Sequence, residues 1–136
     1  MSYARQMLGT YPSDDTFGAH KDALAEVIDA ASDCAQACTT DNDADLSEPH
    51  VADMVACIRL CQNCADICAA VVSVVSRPYD WDVRVIRPLV EACAAICGSC
   101  AAECERHAPE HAHCEVCGQA CRRCEQACSE LLAVIK

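Results

Sequence analysis

Cysteines in this chain recur at alternating steps of three and four residues, a rhythm that an α-helix keeps on one face. The runs are Cys34-x3-Cys38; Cys57-x3-Cys61-x2-Cys64-x3-Cys68; Cys93-x3-Cys97-x2-Cys100-x3-Cys104; and Cys114-x2-Cys117-x3-Cys121-x2-Cys124-x3-Cys128. All fifteen cysteines of the 136 residues fall within them. Each run draws a thiol stripe along a helix, on the side where an apolar core normally sits. The second and third runs share one spacing and the fourth extends it, which suggests a duplicated helical hairpin.

One domain spanning residues 1–136 is the expectation at this length, with room for a real core. The first long helix is expected from about Thr16 to Asn42, with Leu24, Val27, Ala31, Cys34 and Cys38 on one stripe. Residues 1–11 suit a short extra helix closed by Tyr11-Pro12-Ser13-Asp14, and Asp41-Asn42-Asp43-Ala44-Asp45 breaks the helical pattern. Ser47 and Pro49 signal the start of a second helix, which Arg77-Pro78-Tyr79-Asp80 stops near Ser76. A third begins near Asp82 or near Pro88; the unbroken stripe Val83, Ile86, Val90, Cys93 favours Asp82, with a kink at the proline. The last runs from about His111 to Ile135.

Four amphipathic helices with short connections predict an all-α, antiparallel up-down-up-down four-helix bundle. In that topology all four thiol stripes converge in one portion of the core. They open toward the end that holds the first and third interhelical turns. Leu24, Val27, Ile28, Val71, Val72, Val75, Ile86, Leu89, Leu131, Leu132 and Ile135 are expected to seal the opposite end.

A net charge of -11 argues against nucleic acid and against an anionic membrane surface as partners. No stretch approaches the ~18 continuous apolar residues of a membrane span. The first ten residues lack the apolar run of a signal peptide, so a cytosolic protein is expected. In a reducing cytosol, structural disulfides are rare, and neighbours on one helix face leave little to staple. Packing alone does not require so many oxidisable thiols where alanine would serve. Metal binding remains.

Thiolate selects Cu(I), Zn(II) or iron–sulfur clusters. Structural zinc favours four ligands from knuckles in turns, and each four-thiolate site keeps two negative charges that are costly to bury. Cu(I) accepts bridging thiolates and brings one positive charge per thiolate formed, so a filled tube nears neutrality. Many ions per chain point to storage. An iron–sulfur or zinc redox protein is the alternative: Cys57-x3-Cys61-x2-Cys64 has a cluster-binding spacing, although ferredoxin-type C-x2-C-x2-C-x3-C is absent. No Gly-rich phosphate loop or nucleophile–base pair suggests an enzyme.

His107, His111 and His113 gather at the third interhelical turn, where the tube opens, and Met54 precedes Cys57 by one helical step. Imidazole and thioether both ligate Cu(I) and suit an entrance. Asp41, Asp43 and Asp45 lie nearby and are read as a solvated acidic turn. His20 and His50 receive no role.

With C-x3-C-x2-C-x3-C on two helices, a further Cys-rich helix and a histidine-bearing turn, the chain resembles the bacterial copper storage proteins over roughly Thr16 to Ile135. The resemblance implies a four-helix bundle binding many Cu(I) ions through inward cysteines. It also implies a homotetramer, and a place in the family's cytosolic branch. Carried over by position, the fifteen cysteines become Cu(I) ligands, and His107, His111 and His113 become entrance residues. The first long helix carries only two cysteines, so its wall is expected to bind fewer ions.

Overall fold

The computed structural model describes residues 2–12, 17 and 20–135. Its elements are α1 (Ala4–Gly9), α2 (Lys21–Leu46), a 3-10 turn (Val51–Met54), α3 (Val55–Val75), α4 (Val83–His107) and α5 (Ala112–Val134). No strand occurs among the described residues. The helix start expected at Thr16, and the Ser13-Asp14 part of the expected turn, lie outside them.

α2 packs on α3 and α5, and α4 packs on the same two, so the long helices form a four-sided bundle with α1 laid against α2. Direction follows from the contacts. Asn42 Nδ2 donates to the Ile58 carbonyl at 2.8 Å, while Cys34 meets Cys64 at 3.7 Å, so α2 and α3 run antiparallel. Arg122 of α5 reaches Glu105 of α4, whereas Cys124 lies against Cys93, which reverses that pair too.

Helix ends follow the local chemistry. Asp82 caps α4 by accepting the Arg84 amide at 2.9 Å, and the helix runs on through Pro88, as the earlier of the two expected starts requires. At the last turn of α5, the Arg87 guanidinium donates to the Leu132 and Ile135 carbonyls at 3.2 and 2.6 Å. Carbonyls of a last helical turn lack the usual backbone donors, and the contact ties α4 to α5.

Two boundaries differ from expectation. α2 does not stop at Asn42 but continues to Leu46, because Asp41 and Asp45 fall on its inward face and find partners there. Ser47 consequently closes α2 instead of opening the next helix, and a single 3-10 turn precedes α3. The supposed acidic turn is helix, and two of its carboxylates are core residues.

The core has two chemically distinct halves. At one end Leu24, Val27, Val71, Val75, Ile86, Val90, Leu131 and Ile135 are buried, with Phe17 and Leu8 added from the N-terminal segment. Full burial of each such Val or Leu contributes about 1.5–3 kcal/mol. Thiols fill the other half. Val51–Val75 and Val83–His107 are long and apolar enough to cross a membrane by length and composition. Much of that apolarity is the inward thiol stripe, and Arg59, Gln62, Asn63 and Asp66 point outward on α3.

The apolar half and the helix-favouring sequences need no metal, unlike a zinc finger. Reduced, metal-free protein is therefore expected to give a strongly helical far-UV circular dichroism spectrum and a cooperative melt. A random-coil spectrum would contradict a preformed bundle.

Candidate metal centre

All fifteen cysteines are buried and unpaired. They stack in layers along the bundle axis, each layer drawing on several helices. Nearest the histidine end, Asp41 joins Cys57, Cys61 and Cys104; next come Cys38, Cys61, Cys100 and Cys117. Deeper layers are Cys34, Cys38, Cys64 and Cys121, then Cys34, Cys68, Cys97 and Cys124, and finally Cys93, Cys124 and Cys128. Ligand atoms within each layer lie within 4.8 Å of one another, and successive layers share members.

Neighbouring sulfurs come as close as 3.6 Å, at Cys38–Cys121 and Cys38–Cys117, and those of Cys64 and Cys68 stand 4.0 Å apart. A metal–sulfur bond of about 2.3 Å places two sulfurs about 4 Å apart around a three-coordinate ion. The thiols thus stand at metal-bridging distance before any ion enters. A continuous column of shared ligands can hold a chain of ions, which a set of isolated four-ligand knuckles cannot.

That geometry turns the comparison with known proteins into a specific test. The profile of the copper storage proteins matches residues 20–133. The chain belongs to the copper storage protein family. Ccsp, the copper storage protein from Streptomyces lividans, loaded with 10 copper equivalents, superposes with a TM-score of 0.93 at 49% identity, covering 97% of this chain and 99% of that one. Cu(I)-bound copper storage protein BsCsp3 superposes at 0.70 with 33% identity, over 78% of this chain and 94% of its own. The uncharacterized cysteine-rich protein YhjQ of Bacillus subtilis (strain 168) is 35% identical over 106 residues, 78% of this chain and 93% of the relative.

As in any copper storage protein, the array must ionise before it can ligate. Its thiols cannot all lose protons together in a dry core, so neighbours divide them. Cys57 is drawn down to about 3, first by Cys104 and then by Cys61. Cys38 is pushed up, first by Cys100, then by Cys117 and Cys121. An arriving cation supplies the charge that lets the remaining thiols release theirs.

The three histidines form a ladder across the mouth. Ring centroids of His107 and His111 lie 6.3 Å apart, and those of His111 and His113 lie 5.6 Å apart. Each ring is held by a carboxylate: His107 Nε2 by Glu103 at 2.9 Å, His111 Nδ1 by Glu48 at 3.0 Å, and His113 Nδ1 by Asp41 at 2.5 Å. The His113 Nδ1 also lies 3.6 Å from the Cys114 sulfur. Met54 is buried in the same core.

Asp41 and Asp45 are the functional candidates that the sequence reading set aside. Asp41 is 2% exposed, and its Oδ2 accepts the thiols of Cys61, Cys57 and Cys104 at 3.4, 3.6 and 3.7 Å. Asp45 is fully buried, with Oδ1 3.7 Å from the Cys114 sulfur and, among the described residues, no hydrogen-bond partner for Oδ2. A signal was present in the chain: Cys34-x3-Cys38-x2-Asp41-x3-Asp45 has the spacing of the α3 and α4 runs, with carboxylates in the last two places. The wall with two cysteines is completed by two aspartates.

Burial raises the pKa of both carboxyls, that of Asp45 to about 8, with Cys57 adding to the effect. At His113 burial opposes protonation, but hydrogen bonds to Asp41 and Glu48 outweigh it and raise the pKa. Folding favours the protonated form of Asp45, because its folded value lies above the unfolded one near 3.9. Its stabilising contribution is complete below about pH 4 and is lost as pH rises through about 8. The apo-protein is therefore expected to melt at a higher temperature near pH 5 than near pH 9, with Asp45→Asn shrinking that difference. An equal pH slope in wild type and variant would remove Asp45 as its source.

Proposed function

We propose that this protein stores Cu(I), holding many ions per chain on Cys34, Cys38, Cys57, Cys61, Cys64, Cys68, Cys93, Cys97, Cys100, Cys104, Cys114, Cys117, Cys121, Cys124 and Cys128. The observation that carries this reading is the continuous buried column of unpaired thiols, with sulfurs at bridging distance and shared between layers. Membership of the copper storage family supports it, as does the likeness to a Streptomyces lividans relative loaded with 10 copper equivalents.

His107, His111 and His113 form the proposed entrance. Their weaker, neutral donors take an ion from solvent and hand it to the first thiolates, with Met54 as a thioether stop nearby. Binding and release are the activity, with no catalytic step. A cytosolic location is supported by a 50% identical Streptomyces lividans relative described as cytosolic. A single domain and self-association into a homotetramer belong to the same reading, the latter on family resemblance.

Anaerobic titration of reduced protein with Cu(I), followed by metal analysis, tests it. Saturation at one or two ions, or a brown visible chromophore from iron and sulfide, would favour a discrete redox centre instead.

A further inference from the structure

Glu103 stands one turn before His107 on α4, near the C-terminal end of the helix, where the helix dipole disfavours a carboxylate. Its two oxygens have different partners. Oε2 lies 2.9 Å from His107 Nε2, and Oε1 accepts from Arg106 Nη1 at 2.8 Å. We infer, on the reading of His107 as an entrance ligand, that Glu103 is its positioning residue, fixing which nitrogen meets an incoming Cu(I) ion.

An ionised carboxylate only accepts hydrogen bonds, so the proton of the neutral ring lies on Nε2 and the lone pair on Nδ1. Nδ1 is then the nitrogen of His107 that can ligate. A Glu–His pair at this spacing on an open helix surface holds its geometry loosely, because water competes for both partners. Here the side chains of Glu103 and His107 are only 11% and 16% exposed. Arg106, 72% exposed, holds the other oxygen from the solvent side. The carboxylate is fixed at both oxygens, and the ring is fixed with it.

His107 follows Cys104 by one helical step, so a held ring keeps its free nitrogen next to the start of the thiol column. A carboxylate behind an imidazole also raises its basicity as a ligand. Without Glu103 the ring turns and its two nitrogens exchange the proton, so fewer encounters with an ion are productive. The thiols below are untouched. Glu103 therefore acts on the rate of uptake and not on capacity.

The test is stopped-flow Cu(I) uptake from a competing chelator by the reduced, metal-free full chain, arranged as a double-mutant cycle. Glu103→Ala should slow uptake about ten-fold in the wild-type background and add nothing in a His107→Ala background, with final loading unchanged in both. Glu103→Gln keeps an oxygen acceptor for Nε2–H and should restore most of the rate. Glu110→Gln removes an exposed carboxylate from the same interhelical turn and should match wild type. Long-range proton–nitrogen spectra of the wild-type apo-protein at pH 8 should show His107 protonated at Nε2 alone, a readout that needs no variant to fold. Circular dichroism confirms that each variant is folded. Equal slowing by Glu103→Ala in both backgrounds would make Glu103 a general attractor of cations and overturn the assignment. So would an unslowed Glu103→Ala beside a slowed His107→Ala, or a proton on Nδ1 of the wild-type ring. Uptake at the wild-type rate in His107→Ala alone would instead overturn the entrance itself, and Glu103's role with it.

Discussion

Reduced wild-type protein is expected to take up more than about ten Cu(I) ions per chain, a number that follows from matching one cation to each thiolate. The quadruple variant Cys61→Ala, Cys97→Ala, Cys100→Ala, Cys121→Ala should lose several of those ions while remaining a helical bundle. Each of these thiols belongs to a layer of the column, and Cys61 belongs to two, so their removal takes ligands from four successive layers. Alanine keeps a small apolar group in a buried helical position, and the apolar half of the core is untouched. Anaerobic titration, metal analysis and circular dichroism on the same samples decide the matter. Unchanged capacity would place the ions elsewhere; loss of the helical spectrum would show that the thiols are needed for packing.

Replacing His107 and His111 together by alanine is expected to slow Cu(I) uptake from a competing chelator and to change final loading by at most an ion or two. Neutral imidazole binds Cu(I) more weakly than thiolate, so it receives and releases an ion. The two rings stand side by side at the mouth, while every thiol remains in place below. Stopped-flow absorbance at matched pH, with an end-point metal analysis, separates rate from capacity. Identical traces for variant and wild type would move the entrance away from these histidines.

The helical rhythm of the cysteines was enough to recover the bundle, the side on which the thiols meet and the half of the core that they occupy. Those properties depend on periodicity, which survives whatever the neighbouring helices do. Asp41 and Asp45 escaped for a different reason. Aspartate is a weak helix former and is seldom fully buried, so local propensity reads Asp41-Asn42-Asp43-Ala44-Asp45 as a turn. Its buried role depends on thiols and an imidazole supplied by α3, α4 and α5, partners that no local pattern displays. Register was the available clue. Applying the cysteine spacing to α2 would have placed both carboxylates on the inner wall. The start of α3 was missed similarly, because Ser47 has the chemistry of either helix end and the length of α2 decided which it became.

The apolar plug formed by Leu24, Val71, Val75, Leu131 and Ile135 gives the store an order of service. A column closed at one end and open at the other works as a stack. With the histidine end as the proposed entrance, an ion among Cys93, Cys124 and Cys128 would pass every other layer on its way in and leave by the same route. Copper near Cys57 and Cys104 would then turn over first, as a working supply, with the deepest layer as the reserve. Depth along one axis thereby becomes a clock: how long an ion stays depends on how far from the mouth it lies as well as on how tightly it is held.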